Sequence, residues 1–217
     1  MAINYNPSVV SSGLVLALDA ANPKSYPGSG ATWTDLSGNG YNMTLTGTPT
    51  FASTNGGVLQ FNGSTQYGTL SSLNYSTSTF TIIAAARYSG ATRGRIITSN
   101  TNNWLLGHWG STTENYYAEG WISAVGAGAN DTNWRILAAT ENWASDLRTI
   151  YSNNIALVSN STAGAAGFNG LSVGRWGGGA SEYSTCEVSF IYVYNRILSA
   201  SELSQNYNTL RLRFGLT

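Results

Sequence analysis

Three kinds of side chain in this 217-residue chain have the chemistry for a site: ten acids, one histidine with one cysteine, and many aromatic rings. Hydrolysis of a glycosidic bond needs two carboxylates about 5–9 Å apart across a cleft. The nearest acid pairs are Glu114 with Glu119, Glu141 with Asp146, and Glu182 with Glu187. Each pair is five positions apart, so alternation along a strand sends the partners to opposite faces. A hydrolase is not expected. A nucleophilic triad needs a histidine beside a serine or cysteine and an acid. His108 stands in Trp104-Leu105-Leu106-Gly107-His108-Trp109, Cys186 is remote from it in sequence, and no G-x-S-x-G elbow occurs. Both residues are expected to be packed side chains, and one His with one Cys makes no zinc site.

The rings offer a different chemistry. Sugar binding uses an exposed aromatic platform with polar groups around it. The chain has seven Trp and 13 Tyr, and Trp104, Trp109, Tyr116, Tyr117 and Trp121 cluster along its middle. Tyr116 and Tyr117 must face opposite ways on a strand, so at least one of them points off the core. Trp176 lies beside the glycine run Gly177-Gly178-Gly179, which reads as a loop tip. These six aromatics are the candidate carbohydrate-binding residues. The competing expectation is that they pack inside the domain or between protomers, where aromatics also dominate.

The elements that must position them read as all-β. Leu14, Leu16 and Leu18 alternate with Val15, Ala17 and Asp19, the period of a strand. Phe80–Ala86 is apolar on both faces, as in a strand covered on both sides. Further strands are expected at 58–61, 95–98, 104–109, 116–123, 134–140, 147–151, 156–158, 171–174 and 187–194, separated by Asn-, Gly- and Ser-rich turns. Asn39-Gly40 suits a type I′ turn, with Asp35 capping it. One helix is expected near the C-terminus: Ser199 and Glu202 form a capping box, Leu203, Tyr207 and Leu210 make an apolar stripe, and Gly215 is a stop. The expectation is an N-terminal arm, 1–12, and one domain, 13–217.

Composition narrows the partners. Ten Lys and Arg balance ten Asp and Glu, and charged residues are only 9% of the chain, against a usual ~25%. There is no basic footprint for nucleic acid. The longest apolar run, Phe80–Ala86, is far shorter than a membrane-spanning helix, and Met1–Val10 has neither the basic nor the apolar part of an export signal. A single cysteine fits synthesis in a reducing cytoplasm. A neutral surface favours association with copies of itself.

Several segments together resemble a known family. They are Gly13–Ala20, Trp33-Thr34-Asp35-Leu36-Ser37-Gly38-Asn39-Gly40, Leu59-Gln60-Phe61-Asn62-Gly63, Ile150-Tyr151-Ser152-Asn153-Asn154 and Ile191-Tyr192-Val193-Tyr194-Asn195-Arg196-Ile197-Leu198-Ser199. In this order they resemble the laminin-G-like jelly rolls of the concanavalin A-like lectin/glucanase superfamily. The resemblance implies a two-sheet antiparallel jelly-roll β-sandwich with one short C-terminal helix. The E-x-D-x-x-E cluster of the glucanase branch has no counterpart here. The tail, Leu198–Asn208 with Arg211 and Arg213-Phe214-Gly215, is similar to such domains in virion proteins of tailed bacteriophages. It implies a non-enzymatic capsid decoration or accessory protein, made in the host cytoplasm and bound to other virion proteins by repeated neutral contacts. The alternative is a carbohydrate-binding adhesin for host polysaccharide. Relatives often hold Ca²⁺ in rim loops, so calcium is the one cofactor to test. Asn130-Asp131 is its candidate site and Asp35 with Asn39 a second, although Asn62–Tyr67 has neutral residues where relatives carry paired acids.

Overall fold

A computed structural model describes residues 8–162 and 164–217; residues 1–7 of the expected arm lie outside the described residues. The described residues form a sandwich of two antiparallel sheets with one α-helix. The eight-stranded sheet runs β13 (Ile155–Asn160), β12 (Leu147–Ser152), β11 (Arg135–Asn142), β7 (Phe80–Arg93), β15 (Ser184–Tyr194), β5 (Val58–Asn62), β4 (Thr50–Ala52), with β1 (Leu14–Asp19) also on β15. The seven-stranded sheet runs β10 (Thr112–Ala118), β9 (Trp104–Trp109), β8 (Ile97–Thr98), β14 (Asn169–Val173), β6 (Tyr67–Asn74), β3 (Met43–Thr46), β2 (Thr32–Trp33).

The alternation in β7 divides the interior into two cores. Ile82, Ala84 and Ala86 point between the sheets, toward Trp33, Trp104, Tyr116 and Phe168. Ile83 and Ala85 point the other way, under Leu203, Tyr207 and Leu210 of helix α1 (Ala200–Leu210) and under Phe214 of the 3-10 turn that follows it. So β7 is covered on both sides, as its composition requires. The Ser199/Glu202 capping box forms, and Gly215 ends the tail in the left-handed region at φ 66°. The arm joins this layer through Val10, whose N–H donates to Asn206 Oδ1 at 2.8 Å.

One local expectation needs correction. The Asn39-Gly40 turn is not type I′: Gly38 and Gly40 hold positive φ (91° and 76°), whereas Asn39 does not. Its conformation is fixed by Asp35, which accepts from the N–H groups of Ala17, Ser37 and Tyr41. The Gly177–Gly179 run is the loop tip expected, in a turn closed by the Trp176–Ser181 bridge with Gly178 and Gly179 exposed, and its backbone packs closely at the base. A Cβ on Gly177 would come within 2.7 Å of Ser99 O, and one on Gly179 within 2.6 Å of the Trp176 ring.

The candidate carbohydrate-binding face

Register across the seven-stranded sheet sorts its side chains. Tyr116, Leu106, Ile97, Val173, Gly68 and Leu45 lie in one row, facing the core. Tyr117, Leu105, Thr98, Ser172, Thr69 and Thr44 form the adjacent row and face outward. Thr98 and Ser172 in the middle of that outer row are nevertheless buried. Segment 174–183 lies over them: Thr98 Oγ1 donates to Arg175 O at 3.0 Å and accepts from Gly177 N–H at 3.4 Å.

The six candidate aromatics divide on this geometry. Trp104 and Tyr116 are fully buried between the sheets, 5.9 Å apart edge to face. They belong to the core, because both point inward from their strands. Tyr117 points outward, as required by its neighbour's inward position. Its ring meets Trp121 at 5.1 Å, and Trp121 meets Trp109 at 5.2 Å, both edge to face. All three are half-buried, so they form a stepped aromatic surface rather than one flat plate. Trp176 sits apart from this trio, with the Arg95 guanidinium 4.9 Å over its ring.

Polar groups join the two clusters. Arg95 Nη1 donates to Asn103 Oδ1 at 2.6 Å and Arg95 Nε donates to Glu182. Glu119 Oε1 accepts from the Asn103 N–H at 2.6 Å. Beyond Trp176, Arg175 stacks on Tyr67 of β6, with Cζ 3.4 Å from the ring centroid, and donates to the Tyr183 hydroxyl at 3.1 Å. Rings, amides and guanidinium groups thus line the outer face from β6 to β10. Tyr67, Arg95, Arg175 and Tyr183 were not legible as site residues. The available signal was Arg175-Trp176 immediately before three glycines, in a chain with few charges.

The acids do not assemble a cleft. Glu141 and Asp146 were expected to part, yet both meet Arg148, at 3.0 and 2.6 Å. Asp146 lies in the turn after β11 rather than on a strand, so alternation does not govern it. Glu141 and Arg148 are fully buried, and burial raises the Glu141 carboxyl to about 7. Glu114 and Asp131 converge on Arg135 in the same way. The Arg135 guanidinium grips Asp131 through both oxygens, at 2.7 and 2.9 Å, and holds it down at about 2. Asn130 Oδ1 accepts from Arg93. A hard cation needs free oxygen ligands, and those of Asn130-Asp131 already face guanidinium groups, so the pair does not fit calcium. Asp35 is taken up by its turn and Asn39 donates to Val15 O. No group of three metal-binding side chains occurs among the described residues.

His108 is fully buried, edge-on to Tyr88 at 5.0 Å, and burial lowers it to about 3. Neither ring nitrogen has a hydrogen-bond partner among the described residues. Cys186 is buried and free, and burial raises its thiol. An open groove of about 500 Å³ lies on the opposite sheet, lined by Arg87, Asn133, Trp134, Asn153 and Phe214. Its one indole offers no platform: Trp134 is 7% exposed, between Arg87 at 5.1 Å and Phe214 at 4.7 Å.

No protein-family model and no curated protein matches the chain. Solved structures do. The binding domain of Paraclostridial Mosquitocidal Protein 1 superposes with a TM-score of 0.65 at 16% identity, over 91% of this chain and 52% of that one. The receptor-binding domain of botulinum neurotoxin type G gives 0.62 at 14%, over 91% and 51%. The chain therefore spans about half the length of these two neighbours. Domain 4 of a GH43 extracellular arabinanase from Geobacillus stearothermophilus, in complex with arabinotriose, gives 0.63 at 15%, over 90% of this chain and 98% of that one. At these identities the likeness is one of fold alone: the chain is a β-sandwich like these domains.

Proposed function

We propose that this chain is a non-catalytic carbohydrate-binding domain that holds saccharides on the outer face of its seven-stranded sheet. The observation that carries this reading is the stepped trio Trp109, Trp121 and Tyr117, half-buried on the outer face beside the Asn103–Arg95–Trp176 cluster. Half-buried rings present part of their apolar faces to sugar C–H groups, while amides and guanidinium groups meet hydroxyls. A neighbour of nearly the same extent, solved with arabinotriose, supports the reading. So does the engagement of the acids on this face, with Glu182 on Arg95 and Glu119 on Asn103, which leaves no free pair for hydrolysis. The virion-attachment expectation rests on the tail motifs alone, and none of the three neighbours is a virion protein.

The test is a glycan array followed by calorimetric titration of the hits. Trp121→Ala is expected to weaken the best ligand about tenfold, the loss of an aromatic contact worth roughly 1–2 kcal/mol, with no sugar released from any polymer. Absence of hits at high protein concentration, or undiminished affinity in Trp121→Ala, removes the proposal.

A further inference from the structure

The chain has nine arginines and one lysine. Six of the arginines, at 87, 95, 135, 148, 196 and 213, sit in ion pairs with acids. Arg93 donates to Gly90 O and Arg211 to Leu216 O. Arg175 alone among the described arginines has neither a carboxylate nor a carbonyl acceptor. Its one hydrogen bond goes from Nη1 to the Tyr183 hydroxyl at 3.1 Å, and its Nε is buried without a partner. A guanidinium has five N–H groups, so most of its donor capacity is unspent.

The surroundings hold this cation in place without neutralising it. Arg175 follows Gly174, whose φ of 82° turns the chain out of β14. The guanidinium lies flat on Tyr67, and the Tyr183 ring stands 5.8 Å from it on another side. The two rings meet each other at 6.4 Å and 68°, forming an aromatic corner around the charge. Arg175 and both tyrosines are half-buried. Stacking on Tyr67 removes water from one face of the guanidinium, and the fork of terminal N–H groups is left as the place where charge is unmet. A planar carboxylate matches that fork with two parallel hydrogen bonds. The tyrosine rings beside it are apolar walls for the sugar ring that carries the carboxylate.

We infer that Arg175, held between Tyr67 and Tyr183, is an acid-recognition subsite of the carbohydrate-binding face, taking the carboxylate of an acidic sugar residue. This inference rests on the carbohydrate-binding reading and adds the ligand class to it. Arg175 precedes Trp176, so the subsite adjoins the Arg95–Asn103 cluster, and a glycan lying across the face carries its acidic residue toward β6.

The experiment compares matched ligands by titration: sialyllactose against lactose, and trigalacturonate against galactotriose, with 3′-sulfolactose as a third arm. The wild type is expected to bind at least one carboxylate sugar roughly tenfold more tightly than its neutral partner, as for a charge-assisted pair. High salt should shrink that preference. Arg175→Gln is expected to bring the acidic and neutral member of each pair within twofold of one another. Tyr183→Phe keeps the ring and loses the hydroxyl that holds Nη1; it should reduce the preference several-fold, and it carries the test if Arg175→Gln fails to fold. An acid preference that survives Arg175→Gln overturns the inference, as does equal wild-type binding of acidic and neutral partners. An equal gain from 3′-sulfolactose overturns the carboxylate assignment. Binding of none of these sugars, with other hits on the glycan array, overturns the subsite alone, whereas an array without hits removes the carbohydrate-binding reading as well.

Discussion

At the scale of single residues, the chain separates side chains that look alike in sequence. Tyr116 and Tyr117 are neighbours, yet one ring closes the core and the other faces solvent beside Trp121. His108, the only histidine, is held neutral by burial at about 3. In the unfolded chain it protonates near 6.5. Below that value the unfolded state binds a proton that the folded state refuses, so stability falls as pH drops from about 6.5 to about 3. The expected loss is about 1.4 kcal/mol per pH unit over that window. Denaturant melts across this range, for wild type and His108→Leu, measure it directly. The wild type should show the extra slope and the variant should not; parallel curves would mean that His108 is charged in the fold.

At the scale of elements, helix α1 is a lid on one sheet and segment 174–183 is a cover on the other. The helix was legible because its capping box and apolar stripe are local signals, and its burial of Leu203 against the outer layer of the eight-stranded sheet follows from β7 being apolar on both faces. Leu203→Ala is expected to cost about 2–4 kcal/mol by chemical denaturation, in a single transition shared with the sheets. A separate early transition would show that the helix is not part of the cooperative unit. β3 and β6 were missed because hydroxyl and small residues fill their exposed positions: β6 offers only Leu70 and Leu73 as buried leucines, around Gly68, Ser71 and Ser72. The cover was missed for another reason. A glycine run marks a loop tip but not what its base rests on; here the absent side chains let backbone approach Ser99 and let the Trp176 ring lie against Gly179.

At the scale of the molecule, the fold class and its helix follow from periodicity and turns, whereas the binding face depends on register between strands distant in sequence. No local pattern brings Tyr67 to Arg175 and Tyr183, or Glu141 and Asp146 onto one arginine. The seven tryptophans make this global arrangement measurable, because they report from different layers. Trp33 and Trp104 are fully buried between the sheets, Trp134 and Trp143 lie with the eight-stranded sheet, and Trp109, Trp121 and Trp176 lie on the proposed binding face. The most direct test is therefore a titration of ¹⁵N-labelled protein with its best array ligand, followed through the indole N–H resonances. Progressive shifts concentrated at Trp109, Trp121 and Trp176 are predicted, with Trp33, Trp104, Trp134 and Trp143 nearly still. Shifts centred on Trp134 or Trp143 would place the ligand on the opposite sheet and contradict the account.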